Sequence, residues 1–274
     1  MRVVVTNDDG IESRGLDLLA GVCARRGWEA IVIAPSRDMS GSGAAIGHLR
    51  VDERVHLRPA PRDVDGATCA YVVDGPPGLA ALLSCRGAIG APPDLVLSGV
   101  NAGENTGHVI LHSGTVGAAL TAASFGVSGL AVSMQVTRPM RWVAAGRATE
   151  EALDLIERAP GGTVLNVNVP AAGGDGPGLR WARLDRFGVV RVAVASREGT
   201  ALQLEYRAPN IESEPDSDTA LLGQGYATVT AIEGVGEIEP VAIDLAPSET
   251  PAPTATPRQL PDEVTGGPAA DRRA

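Results

Sequence analysis

The strongest constraint on the fold of this chain is a repeated change of texture, in which short apolar runs end abruptly in polar clusters. Val3, Val4 and Val5 stop at Asn7-Asp8-Asp9-Gly10, "EAIVIAP" (29 to 35) stops at "SRDMSGSG", and "DLVLSG" (94 to 99) stops at "VNAGENTG". "GLAVSM" (129 to 134) and "TVLNVNVP" (163 to 170) are further runs of the same kind. Continuous rather than alternating apolar residues mark strands buried on both faces, as in parallel sheets. The segments between them carry helical spacing. Ser13 can cap a helix bearing Leu16, Leu19, Ala20 and Cys23 that Gly27 stops, and helices are expected at about 76 to 85, 114 to 125 and 141 to 158. Strand and helix in alternation predict an α/β fold with a mostly parallel sheet, right-handed crossovers and flanking helices. In such a fold the polar clusters converge on the carboxyl edge of the sheet, where ligands bind.

Bulk properties narrow the function. A chain of 274 residues, 44% hydrophobic, can bury a full core, built from Val, Leu, Ile and Ala because aromatics are only 3%. A net charge of -10 argues against polymeric nucleic acid as a partner, since neutralising a phosphate backbone needs clustered Lys and Arg. Cys23, Cys69 and Cys85 are widely spaced and form no C-x-x-C, which fits neither a disulfide framework nor a zinc site and suits a reducing compartment. With no apolar run of spanning length and no leader pattern, a cytoplasmic protein without membrane contact is expected. From about 180 the texture becomes β-rich, and "VVRVAVASREGTALQLEYRAP" contains two strand-like runs about an Arg-Glu-Gly-Thr turn. Val190, Val192 and Val194 on one arm and Leu202 and Leu204 on the other alternate with other residues, giving each arm an apolar stripe. Residues 246 to 274 hold six of the twenty prolines and no periodicity, and are expected to be a disordered tail behind a domain of residues 1 to 245.

Chemistry enters with Asp8 and Asp9. Two adjacent carboxylates at a sheet rim repel each other unless a cation joins them, and the Asp, Ser and Asn of the three clusters are hard oxygen donors of the kind that suit Mg²⁺, Mn²⁺ or Ca²⁺. "HSGTVGAALTAASFG" (112 to 126) adds a helix start at Ser113-Gly114-Thr115, where free amides and two hydroxyls could cradle a phosphate. A phosphatase with an aspartyl nucleophile wants D-x-D at the end of the first strand, whereas here Gly10 takes the second partner's place. The Gly run at 41 to 47 lacks the G-x-G-x-x-G spacing of a dinucleotide site. His48 and His56 are expected to be solvated.

Taken together, "NDDGI" (7 to 11), "AP-x-R-x-x-SG" (34 to 41), "SGVNAGENTG" (98 to 107), "SGTV" (113 to 116) and "LNVNVP" (165 to 170), extended by "DTALLGQGYATVT" (218 to 230), resemble the SurE survival-protein family of metal-dependent 5'/3'-nucleotidases. The resemblance implies a Rossmann-like core with a β-rich extension, about 180 to 245, whose projecting hairpin makes dimer or tetramer contacts. It implies one divalent cation per subunit, Mg²⁺ or Mn²⁺, on Asp8, Asp9, Ser40 and Asn101, with Asp8 and Asp9 catalytic. Phosphate contacts would fall on Asn101, Ser113, Gly114 and Thr115, surrounded by Asn7, Asn105, His108 and His112. The expected activity is hydrolysis of nucleoside monophosphates by a metal-activated water. The segments at 74 to 84 and 108 to 112 depart from the family pattern. They keep open a phosphatase of another small phosphorylated metabolite, and a nucleotide or phosphate sensor that has lost turnover.

Overall fold

The computed structural model describes residues 1–47, 54–172, 178–186, 191–207 and 213–235, with the side chains of 191–194 and 204–207 not described. His48 and the expected tail at 246–274 lie outside these residues. The chain opens on β1 (Arg2–Thr6), α1 (Arg14–Arg25), β2 (Glu29–Pro35), β3 (Leu57–Pro59) and β4 (Cys69–Val73). It continues through α2 (Pro77–Cys85), β5 (Leu95–Ala102), a 3-10 helix (Gly107–His112), α3 (Gly114–Ala123), β6 (Ser128–Met134), α4 (Trp142–Ile156) and β7 (Val164–Val169). The last described elements are β8 (Arg180–Trp181), β9 (Arg191–Glu198), β10 (Ala201–Arg207), α5 (Asp218–Gly223) and β11 (Thr228–Ile232).

Among the described residues nine strands form one sheet in the order β3-β4-β2-β1-β5-β6-β7-β11-β8. The strands from β4 to β7 in this order pair in parallel, with Val3 of β1 opposite Ala30 of β2 on one side and Leu95 of β5 on the other. The chain builds outward from β1 through β2 and β4, then crosses back to lay down β5, β6 and β7 on the opposite side. That reversal puts the topological switch point, the place where open α/β sheets bind ligands, between the carboxyl ends of β1 and β5.

Burial explains the texture of the sequence. Val3, Val4 and Val5 are at most 2% exposed because both faces of β1 are covered. On one face α1 and α4 pack with Leu16, Leu19, Leu97, Leu130 and Leu153 into one apolar cluster. On the other, α2 and α3 enclose a smaller cluster about Val4, Ile33 and Val96. The Ser13 hydroxyl accepts from Gly15 N at 3.2 Å and caps α1 as its sequence predicts, and Gly27 ends the turn beyond it at φ +70°. Arg26 then fastens α1 to α4, donating to Glu150, Asp154 and Glu157 and stacking on Trp28.

Beyond 180 the chain is β-rich, as its sequence predicts. There β11 pairs antiparallel with β7 and carries β8 outward, extending the main sheet. Among the described residues only β9 and β10 stand apart, as an antiparallel hairpin with a register shift at Gln203/Leu204. No helix among the described residues is long and apolar enough to cross a membrane.

One contact positions the site directly. Residues 39–47 lie against the starts of α2 and α3, so closely that a Cβ on Gly117 would run into the Gly43 carbonyl and one on Gly78 would lie 2.6 Å from the Ala45 carbonyl. Gly117→Ala is therefore expected to lower stability by about 1–3 kcal/mol through overpacking against backbone. Gly223→Ala, where a Cβ meets nothing within 4 Å, should leave the urea midpoint unchanged or slightly raised. Equal midpoints for the two variants would show that residues 39–47 yield freely.

Candidate active site

The turn after β1 is fixed before any ligand arrives. Asn7, fully buried, accepts from Gly10 N and donates to Gly10 O, both at 3.2 Å, so its amide brackets the two aspartates between them. Gly10 sits at φ +98°, and a Cβ there would come within 3.0 Å of the Arg37 backbone. Ile11 N donates to Pro35 O and Met39 N to Asp8 O, which ties the turn after β1 to the end of β2. Asn7 thus belongs to the frame of the site.

Asp8, only 3% exposed, accepts from the Thr115 hydroxyl at 2.5 Å. Its other oxygen faces the first residue of α3: a Cβ on Gly114 would lie 2.7 Å from Asp8 Oδ2. A carboxylate there meets the positive end of the helix dipole. Asp9 has less support. Its Oδ2 is buried without a hydrogen-bond partner. Burial first, then the charges of Asp8 and Asp38, push its pKa up to about 6, against the lowering pull of the Ala102 amide. Asp38 itself is held below the usual range by Ser40, whose hydroxyl and amide both donate to Asp38 Oδ1, at 2.6 and 2.7 Å.

Asn101 reaches the same edge through an irregularity in β5. Ser98 pairs with Ala131 but Asn101 with Ser133, so one extra residue is fitted into β5, and such bulges re-aim the side chains beyond them. Asn101 Nδ2 donates to Gly103 O at 2.7 Å, which leaves its Oδ1 as the oxygen available to a cation. The loop that follows is held from two sides. Asn105 donates from its backbone to Asn168 Oδ1 and from its side chain to Ser133, while its carbonyl accepts from Asn166 and Asn168. Further on, fully buried Asp218 accepts from the amides of Gly107, Asp185 and Thr219 at 2.8 to 3.0 Å.

The structure shows how the two hydroxyls at the start of α3 are engaged. Ser113 Oγ caps α3 by accepting from Val116 N, which leaves its own proton to donate, and Thr115 Oγ1 donates to Asp8. What α3 offers outward is its first amides, those of Gly114 and Thr115, which have no carbonyl a turn earlier to bond. His108 and His112 are exposed on the 3-10 helix. They join the site through backbone, with His108 N donating to Asp185 O and His112 O accepting from Gly43 N. His56 is exposed, as expected. Sequence reasoning missed Asp38, the Thr115–Asp8 bond and the anchoring work of Asn166, Asn168 and Asp218. The asparagines stood in a quoted motif, but their partner lies some sixty residues away.

Among the described residues no three His, Cys, Asp or Glu side chains group as metal ligands. A cation would instead use two carboxylates with neutral oxygens from Ser40 and Asn101, the mixed set that hard divalent ions accept and softer ones do not. The buried Asp9 Oδ2 fits such an ion, because it is an anionic acceptor that nothing among the described residues satisfies. Beyond the end of β2, a cavity of about 440 Å³ is lined by Pro35, Ser36, Arg37, Met39, Asp74 and Gly75, of which Met39 bonds the Asp8 carbonyl through its backbone.

These features define a doubly wound α/β protein with an anionic, oxygen-donor site at its switch point, faced by a helix N-terminus. The family model described as Survival protein SurE matches residues 3–189, and the chain belongs to that family. It is 32% identical over 249 residues to the 5'-nucleotidase SurE of Stenotrophomonas maltophilia, covering 85% of this chain and 90% of that one. To the 5'-nucleotidase SurE of Pelotomaculum thermopropionicum it is 30% identical over 240 residues, covering 85% and 89%. The crystal structure of the SurE protein from Aquifex aeolicus superposes with a TM-score of 0.69 at 26% identity, over 85% of this chain and 93% of that one.

Asp218 gives the site a testable dependence on remote packing. Asp218→Ala leaves three amides without their acceptor and should cost about 2–4 kcal/mol in a denaturant titration. A loss under about 0.5 kcal/mol, the range of ordinary surface substitutions, would mean that water replaces the carboxylate at no cost.

Proposed function

We propose that this protein is a metal-dependent phosphomonoesterase that releases phosphate from nucleoside 5'- and 3'-monophosphates. The observation that carries the reading is the buried, partnerless Asp9 Oδ2 beside Asp8 at the switch point, in a chain whose relatives are named 5'-nucleotidases. One Mg²⁺ or Mn²⁺ per subunit, held by Asp8, Asp9, Ser40 and Asn101, would polarise the phosphoryl oxygens and acidify the attacking water. The chain's own residues do the rest. Thr115 fixes the Asp8 carboxylate in one orientation, and the Asn7 bracket keeps Asp9 beside it. Asp9 accepts the proton of the attacking water. The amides of Gly114 and Thr115, together with Asn101, take up charge that spreads over the phosphoryl oxygens. The 440 Å³ cavity between Arg37, Met39 and Asp74 is large enough for a nucleoside, which favours nucleotides over smaller phosphomonoesters.

The domain we assign is residues 1–245, acting in the cytoplasm as a homodimer or homotetramer. The β9–β10 hairpin supports assembly, since among the described residues it pairs only with itself and its Leu202 is 56% exposed. Leu202→Asp should shift the protein toward monomer in light scattering while the circular dichroism of the core persists. Wild type that is already monomeric at micromolar concentration contradicts the assembly.

Phosphate release from adenosine monophosphate and from p-nitrophenyl phosphate, with and without Mn²⁺, tests the activity. Wild type should turn over the nucleotide with lower KM, only with metal, and Asp9→Asn should lose at least about 100-fold in kcat, the scale set by one acid–base group. Saturable nucleotide binding without phosphate release would make the protein a sensor, and near wild-type release by Asp9→Asn would remove Asp9 from the site.

A further inference from the structure

Within the "SGSG" stretch the resemblance assigns a role only to Ser40, yet Ser42 stands in the more telling position. We propose that the Ser42 hydroxyl is a ligand of the substrate phosphoryl group, donating to one of its oxygens across from the first amides of α3. The inference rests on the phosphomonoesterase reading and adds to it a binding residue.

Two independent observations carry it. First, Ser42 Oγ is cut off from solvent and has no hydrogen-bond partner among the described residues. Five other hydroxyls share that state, those of Thr6, Ser98, Thr106, Thr228 and Thr230, so it is the place of Ser42 that singles it out as a donor awaiting a partner that is not protein. Second, the hydroxyl lies at the site. A Cβ built on Gly114 would lie 2.7 Å from Ser42 Oγ and 2.7 Å from Asp8 Oδ2, so the hydroxyl and the carboxylate both stand against the first residue of α3.

The residue is also held in place. Ser42 N donates to Met39 O and its carbonyl accepts from Ala45 N, both at 3.1 Å, while the next amide, Gly43 N, donates to His112 O at 3.1 Å. Met39 in turn bonds the Asp8 carbonyl, and Gly43 is seated on α3 at Gly117. The Ser42 backbone is therefore fixed to the turn that carries the aspartates and to the helix that faces them, while its hydroxyl bonds nothing among the described residues.

The chemistry of the site selects the ligand. Amides at a helix start and a hydroxyl beside them are donors converging from two directions, which suits a group with several anionic oxygens. A nucleobase or a sugar hydroxyl offers one acceptor at a time and would leave part of this set unmatched. Substrate phosphoryl and product phosphate share the chemistry, so both should feel the residue.

The test is Ser42→Ala in the full-length chain, with product inhibition by inorganic phosphate, KM for adenosine monophosphate and thermal melting read in parallel. Loss of one hydrogen bond to a charged group corresponds to about tenfold in affinity. The phosphate inhibition constant and KM should each rise by about that factor. The melting temperature of the ligand-free variant should stay level or rise, because the hydroxyl removed bonds nothing in the protein. A hydroxyl with a purely structural role would instead lower it. The proposal is overturned if the wild type hydrolyses the nucleotide and Ser42→Ala matches it within twofold in both constants. It is equally overturned if the variant loses Mn²⁺ affinity while phosphate affinity is unchanged, which would make the hydroxyl a support of the cation. A wild type that neither binds phosphate nor releases it overturns the phosphomonoesterase reading and this inference together.

Discussion

The structure turns on the repulsion between two neighbouring carboxylates placed where water cannot fully solvate them. At the end of β1, Asp8 is nearly buried and Asp9 half-buried, and the protein satisfies them unequally. Asp8 receives a hydroxyl and a helix N-terminus; Asp9 Oδ2 receives nothing. Burying an unmatched anion is costly, and the cost persists only because the surroundings over-determine the turn. The Asn7 bracket, the tie from Met39 to the Asp8 carbonyl and the close fit of Gly10 on Arg37 all resist the relaxation that would separate the charges.

The rest of the fold is arranged around that point. The sheet reverses its direction of growth beside β1, which leaves a crevice with Asp8 and Asp9 on one wall and Asn101 on the other. Residues 39–47 lie over the same crevice from the third side, pressed onto α2 and α3. The loop after β5 is secured from further away by Asn166, Asn168 and Asp218, so an inner strand, β7, and a short helix late in the chain help to set the geometry of a site composed mainly of early residues.

Local features of this arrangement were legible in the sequence, and long-range ones were not. The buried strands and their polar ends could be read because a strand covered on both faces is continuously apolar and its rim is not. Ser13 and Gly27 marked the ends of α1 by capping chemistry confined to a few residues. By contrast, β4 could not be read as a strand, because Cys69, Ala70 and Tyr71 ahead of two valines make only a short apolar run whose period does not identify it. The hydroxyls of Ser113 and Thr115 look free in a sequence, because nothing local reveals that Thr115 meets an aspartate 107 positions earlier. The same holds for Asp218, two of whose three amide donors, Gly107 and Asp185, lie 111 and 33 residues away. The pairing of β8 and β11 with the main sheet was hidden for a related reason: pairing partners are chosen by packing, and strand propensity does not name them.

The central claim is that the carboxylate pair exists to hold a divalent cation, and calorimetric titration of the metal-free protein with Mn²⁺ tests it most directly. The account predicts one saturable site per chain, lost when Asp8 and Asp9 are both replaced by asparagine. No saturable binding to a folded wild type, or undiminished binding to the double variant, would contradict it.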